Sequence, residues 1–169
     1  WGATTQDIMD TALVLQIRQG LNLLEQDLRD VSVQLRRLAK TYRDTPMAGR
    51  THLQHALPTT FGLKCAIWLG MVERNLERLQ ELRPRVLVGQ FAGAGGTLAS
   101  LGERGLEVQA EMMQVLGLGV PMTTWHTARD GLAETAQWLG LVTMTLGKMA
   151  FDVSLMMANE FSEVFEPFV

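Results

Sequence analysis

One cysteine stands in 169 residues, at Cys65, so no disulfide can form within the chain. A reducing setting, the cytoplasm, is the expected compartment. Basic excess is also lacking: 15 Lys and Arg face 18 Asp and Glu, a formal net charge of −3, which excludes the cationic footprint of a nucleic-acid binder. No uncharged apolar run approaches the roughly 20 residues of a membrane helix, and no secretory signal is evident. HExxH and CxxC are missing, and Cys65 lies ten residues beyond His55, so zinc spacing is not met. No strand pattern competes with helical periodicity, and no internal repeat is evident. Cys65 sits in a helical pattern and reads as a small buried hydrophobe.

What is present is a globular composition, 47% hydrophobic and 20% charged, long enough for one domain with a sizeable core. A first helix is expected from about Asp7 to Tyr42. In it Ile17, Leu21, Leu24, Leu28, Val31, Leu35 and Leu38 alternate spacings of four and three, a heptad seam suited to shallow-angle helix packing. Asp44, Pro46 and Gly49 break it. A second helix follows Pro58, capped by Thr59 or Thr60, and runs to about Leu82, where Arg83-Pro84 interrupts the pattern and Val86 and Val88 offer a kinked extension. A third is expected over roughly 102–116 and a last one from about Ala128 to Val164. The last is apolar on most faces between Trp138 and Met157, which predicts burial against partner subunits. The expected fold is all-α, an elongated long-helix bundle. The chain starts at Trp1 without Met and stops at EPFV directly after a helix, so a piece of a larger polypeptide is expected.

Four polar segments interrupt these helices. GRTHLQHALPTTFG, 49–62, gathers Arg50, Thr51, His52, Gln54 and His55. Histidine exchanges protons near neutral pH, and arginine offers a charged fork to a carboxylate. WGATTQD places Thr4, Thr5, Gln6 and Asp7 before a helix, where capping accounts for one or two of the four, and a helix N-terminus ringed by hydroxyls and amides is a ready anion site. GQFAGAGGTLASLG, 89–102, holds five glycines with Thr97 and Ser100, and is neither a P-loop nor a dinucleotide fingerprint. Its glycines suit close backbone approach to a small anion, or of one helix to another. TTWHTARD offers His126 and Arg129 to an anionic ligand, with Asp130 as a helix cap. Together these predict a small, multiply anionic guest.

In their order, ATTQDIMDT, GRTHLQHALPTTFG, GGTLASLG and the RD-plus-long-helix stretch ending NEFSEVFEP resemble the fumarase/aspartase superfamily over essentially the whole chain. Within it they are most similar to the cycloisomerase branch, with the adenylosuccinate lyase branch as runner-up. The resemblance implies that residues 1–169 are the central helical-bundle domain of a homotetramer whose active sites are shared between subunits. It implies acid–base chemistry on a small polycarboxylate without metal or cofactor: closure of a lactone by addition of a carboxylate across a double bond, or elimination of fumarate. It assigns the catalytic or substrate-contacting histidine to His52 and carboxylate contacts to Thr4, Thr5, Gln6, Thr51 and Gln54. Thr97 and Ser100 fall on the family's glycine-rich substrate turn, and Arg129 on a carboxylate clamp; the role of His55 stays open. The family's GSSxMPxKxN loop, which carries the serine usually assigned as general base, would follow EVFEP. A chain without it is expected to be inactive alone, and a helical assembly module that has lost the chemistry is the other reading.

Overall fold

The computed structural model describes residues 1–167; Phe168 and Val169, the end of the EPFV stretch and of the expected 1–169 domain, lie outside the described residues. Four α-helices dominate: α1 (Thr5–Thr41), α2 (Phe61–Val86), α3 (Gly105–Leu116) and α4 (Asp130–Met156). The mostly helical expectation holds. One strand pair was not foreseen: β1 (Pro46–Thr51) and β2 (Gln54–Thr60) form an antiparallel hairpin. The chain divides into two compact units, residues 1–25 with 78–138, and residues 26–77 with 139 onward.

In the first unit, the start of α1 and the end of α2 meet the glycine-rich segment, α3 and the start of α4. Val14, Phe91, Leu98, Met113 and Leu118 form its core, with Leu15, Leu87, Leu101 and Trp125 packed against them. A β-carbon on Gly89 would run into the Met113 side chain at Sδ, so a larger residue there requires that side chain to move. A 3₁₀ segment, Ala99–Arg104, precedes α3, so the regular helix starts three residues later than expected. It ends on Gly117 at φ 63°, and the next amide, Leu118 N–H, donates to Met113 O, a left-handed stop that glycine favours. α2 continues through Pro84 to Val86, past the expected end near Leu82. A proline so near a helix C-terminus removes one intrahelical bond and leaves few turns to kink.

The second unit contains the heptad positions Leu28 and Leu35, both buried, with Cys65, Trp68, Val72, Leu76, Val142 and Met156. Cys65 is fully buried and burial pushes its thiol up, as a core residue should be. Thr60 Oγ1 accepts the Leu63 N–H and caps α2. Tyr42, Phe61 and Trp68 stack edge to face at 5.4 and 6.4 Å. Asn75 Nδ2 donates to Thr145 Oγ1 at 2.9 Å inside the core. α4 ends at Met156, not near Val164: Ser162 adopts φ 49° and Glu163 N–H returns to Met156 O, so NEFSEVFEP is a set of turns. On this unit's part of α4, Leu141, Met144, Leu146 and Phe151 are exposed, Met144 at 75% and Phe151 at 63%. By length and mean hydropathy alone α4 could cross a bilayer, although it carries Glu134, Lys148 and Asp152.

Candidate active site

The expected site residues fall into two groups, one in each unit. The first unit holds Thr4, Thr5, Gln6, Thr97, Ser100, His126 and Arg129, and Thr4 and His126 converge on a residue that composition does not single out. Asp7, in the first turn of α1, is fully buried. Its Oδ2 accepts the N–H groups of Thr4 and Gly93, both at 2.9 Å. Its Oδ1 takes the Ala92 N–H at 3.0 Å, Gln90 Nε2 at 3.3 Å and His126 Nε2 at 2.7 Å. Burial alone would push the carboxyl up, but these donors, led by the Thr4 and Gly93 N–H groups, hold it below the ordinary aspartate range. The helix N-terminus adds to the same effect.

One turn on, Asp10 is 2% exposed and meets Arg129 through two bonds, Nη1 to Oδ2 at 2.7 Å and Nη2 to Oδ1 at 2.9 Å. Gln6 Nε2 donates to the same Oδ1 at 2.8 Å. Burial opposes ionisation here too, and the Arg129 fork, with Gln6, overcomes it. Gln90, fully buried, completes the mesh: its Oε1 accepts the Trp125 N–H at 2.7 Å and its main chain exchanges bonds with Thr11 Oγ1. The anions that His126, Arg129 and the glycine-rich backbone hold in this structure are therefore the chain's own. Thr97 is exposed, and Ser100 offers its carbonyl to Trp1 Nε1 at 3.1 Å. Asp10, Thr11 and Gln90 were missed in the sequence, and Asp7 was read only as one of the polar residues before the helix. The readable signal was two aspartates three apart on one face of a helix start.

In the second unit, Arg50, Thr51, His52, Gln54 and His55 all lie on the hairpin. Arg50 opposes His55 and Thr51 opposes Gln54, with a bulge between Ala48 and Arg50. Opposite the bulge, a β-carbon on Gly49 would lie 2.4 Å from Leu57 O, so no side chain fits. His52 and Leu53 form the two-residue turn at φ 49° and 61°. Two left-handed residues match the twist of a tight hairpin, a place normally taken by Asn-Gly. His52 thus sits exposed at the tip in a conformation that costs a non-glycine residue of order 1 kcal/mol or more.

Beneath the tip the stem is clamped. Arg50 Nη1 and Nη2 donate to Glu163 Oε2 and Oε1 at 2.8 and 2.9 Å, and its guanidinium stacks 4.3 Å from the Phe161 ring centroid. His52, Arg50 and Phe161 share the wall of a cavity of about 450 Å³ with Lys64, Trp68, Lys148 and Asp152. Asp152 Oδ2 accepts Trp68 Nε1 at 3.0 Å and Lys148 Nζ, with Lys64 Nζ at 3.6 Å. Burial raises the Asp152 carboxyl, yet Lys148, Trp68 and Lys64 together keep it below the usual range. A histidine capable of proton transfer thus borders a concave, cation-lined space.

Comparison with known proteins agrees with the sequence motifs. A family model described as "Lyase" matches residues 1–169. The chain is 56% identical to a 3-carboxy-cis,cis-muconate cycloisomerase of Pseudomonas aeruginosa over 98% of its length and 36% of the relative's. It is 48% identical to an N-acetyl-S-(2-succino)cysteine lyase of Dickeya dadantii, over 99% of the chain and 37% of that protein. The crystal structure of a fumarate lyase from Mesorhizobium sp. BNC1 superposes with a TM-score of 0.96 at 62% identity, covering 99% of this chain and 40% of that one. The chain thus spans a little over a third of the curated relatives it matches. Motif, sequence and fold converge, and the chain belongs to this lyase family, the fumarase/aspartase superfamily.

Proposed function

We propose that the full-length protein is a cycloisomerase that converts 3-carboxy-cis,cis-muconate to a carboxymuconolactone, in the breakdown of aromatic compounds. The carrying observation is His52, exposed at a left-handed hairpin tip above a cation-lined cavity, in a chain 56% identical to such an enzyme. In the reaction a carboxylate oxygen of the substrate forms a C–O bond to one alkene carbon. The π electrons move to the neighbouring carbon, which takes a proton, and nothing is lost. His52 is assigned to that proton transfer, with no metal or cofactor in the step. Thr4, Thr5, Gln6, Thr51, Gln54, Thr97 and Ser100 are assigned to the substrate's carboxylates. Arg50, His126 and Arg129 already hold Glu163, Asp7 and Asp10, so we assign them to positioning the groups around them.

The working form is proposed to be a cytoplasmic homotetramer with active sites shared between subunits. The apolar side chains left exposed on α4, Met144 and Phe151 among them, support burial by further copies. In such an assembly the two groups of site residues need not serve the same active site. A second reading, a lyase that eliminates fumarate from a succinylated amine or thiol, draws support from the 48% identity to the Dickeya enzyme.

The test is turnover by the full-length gene product, followed as ultraviolet loss of 3-carboxy-cis,cis-muconate beside adenylosuccinate and N-acetyl-S-(2-succino)cysteine. Selective loss of the muconate is the expected result, and His52→Ala should slow it by about 10² or more. Turnover of a succinylated substrate instead would install the second reading. Activity on none would return the chain to an assembly role.

A further inference from the structure

The cavity below His52 carries more positive charge than its own carboxylates answer. Arg50 and Glu163 cancel as a bidentate pair. Of the remaining charges, Lys64 and Lys148 share Asp152, and a single Asp152 oxygen, Oδ2, meets both of them and Trp68 Nε1. That oxygen is already engaged by Trp68 Nε1 and Lys148, and Lys64 stands 3.6 Å away, beyond hydrogen-bonding distance. Both ammonium groups lie over the Trp68 ring, at 5.7 and 5.9 Å from its centroid, a weaker form of the same attraction. Arg50 contributes a second unmet donor: among the described residues its Nε is the one buried side-chain nitrogen or oxygen without a hydrogen-bond partner. One cationic charge therefore stands unmatched in the lining of a single space of about 450 Å³, to which Lys64 and Lys148 present half-buried side chains. Much of the rest of its wall is apolar, with Ile67, Leu155, Met156 and Phe161 among the lining side chains. Apolar walls raise the cost of leaving a charge unanswered and strengthen any pairing made there.

We infer that Lys64 and Lys148 form the seat for a carboxylate of a small di- or tricarboxylate bound in this cavity, its hydrocarbon body lying on the apolar wall. The inference deepens the proposed function and rests on it for the identity of the ligand. Lysine suits the task because its ammonium is a compact charge with three rotatable donors, so Lys148 can serve Asp152 and a guest at once. Neither lysine was among the residues the motifs pointed to. They are substrate-binding residues on this assignment, and the proton chemistry stays with His52.

The test uses the full-length gene product and tricarballylate, a non-reacting tricarboxylate, by titration calorimetry at low ionic strength, beside steady-state turnover of the muconate. Lys64→Met should weaken tricarballylate about ten-fold or more and raise KM similarly with a smaller change in kcat, while Lys64→Arg retains most of the affinity. Lys148→Met should do the same. If circular dichroism shows that it fails to fold, Lys64→Met, which breaks no short hydrogen bond, decides alone. Wild-type affinity and KM in a folded Lys64→Met would overturn the inference while leaving muconate turnover, and the proposed function, in place. Lysine-dependent binding of tricarballylate without turnover of the muconate would do the reverse. No binding by the wild type would overturn the inference outright.

Discussion

Asp7→Asn is the most informative single change in the first unit, because it alters charge and acceptor count with almost no change in volume. Asparagine keeps one acceptor oxygen where aspartate has two. If that oxygen takes the Oδ1 position, it serves Ala92, Gln90 and His126, and the new amide nitrogen faces the Thr4 and Gly93 N–H groups. Two backbone donors then lose their acceptor, the buried Gly93 N–H at about 1–3 kcal/mol and the part-buried Thr4 N–H at about 1 kcal/mol. The opposite orientation leaves three donors unmet and is worse. Loss of the charge also removes the favourable interaction with the start of α1, about 0.3–1 kcal/mol. The expected cost is about 2–5 kcal/mol, a large share of the stability of an ordinary domain.

Hydrogen exchange at the Ala92 and Gly93 amides reads this locally, whatever the state of assembly. Protection there should fall about thirty-fold at the low end of that range and a few thousand-fold at the high end. The pH dependence follows from linkage. The folded carboxyl titrates below 3.8, so the native state holds fewer protons than the unfolded chain between the two values. The Asp7 contribution is therefore complete above about pH 5 and is lost as pH falls through 3.8 toward the folded value. Asp7→Asn should flatten that acid limb. Unchanged protection at both amides, with an acid limb like the wild type's, would refute the placement of Asp7 as the acceptor that organises this region.

Gly62→Ala should cost about 3 kcal/mol or more, seen as a fall in the denaturation midpoint, because the added β-carbon meets backbone: Arg43 Cα at 2.6 Å and the carbonyls of Ala39 and Tyr42 at 2.7 Å. Glu163→Ala leaves the mostly buried Arg50 fork without its carboxylate, at about 2–3 kcal/mol. It should also speed amide exchange along 46–60, and an unchanged rate there would show that the pair does not hold the hairpin. Arg50→Lys should resemble it in part, since an ammonium cannot make both bonds of the fork.

The helices were legible because their signals are local and redundant. Leu21, Leu28 and Leu35 recur every seven residues and all three are buried, so the seam of α1 announced both the helix and its inward face. The hairpin was not legible, for a stated reason: its turn is His52-Leu53, where the usual cue is Asn-Gly, and Pro58 within β2 argues against a strand. A two-stranded sheet has only edges, which is where proline is tolerated. The end of α4 was overrun because Met157, Phe161 and Val164 keep helical spacing, while the turn depends on contacts distant in sequence, Arg50 to Glu163 among them.

The polar segments show a different limit. In the sequence, Thr4, Gly93, His126 and Arg129 read as donors awaiting an anion, and donors of that kind are what they are. Spacing along a chain counts donors well, but it cannot tell whether the acceptor is brought by folding or by a ligand. Here folding brings it in the first unit, where the Asp7 and Asp10 carboxylates accept eight hydrogen bonds between them, five on Asp7 and three on Asp10 from the Arg129 fork and Gln6. In the second unit it brings Glu163 for Arg50 but only a shared oxygen for Lys64 and Lys148. An acid–base site requires both conditions. Some cations must be saturated so that the framework is rigid, and some must be left with capacity so that a substrate carboxylate is worth binding. On the proposed reading the residues that look most like ligands in the motifs, Arg129 and Arg50, serve as framework, and the capacity is assigned to His52 and two lysines that no motif marked.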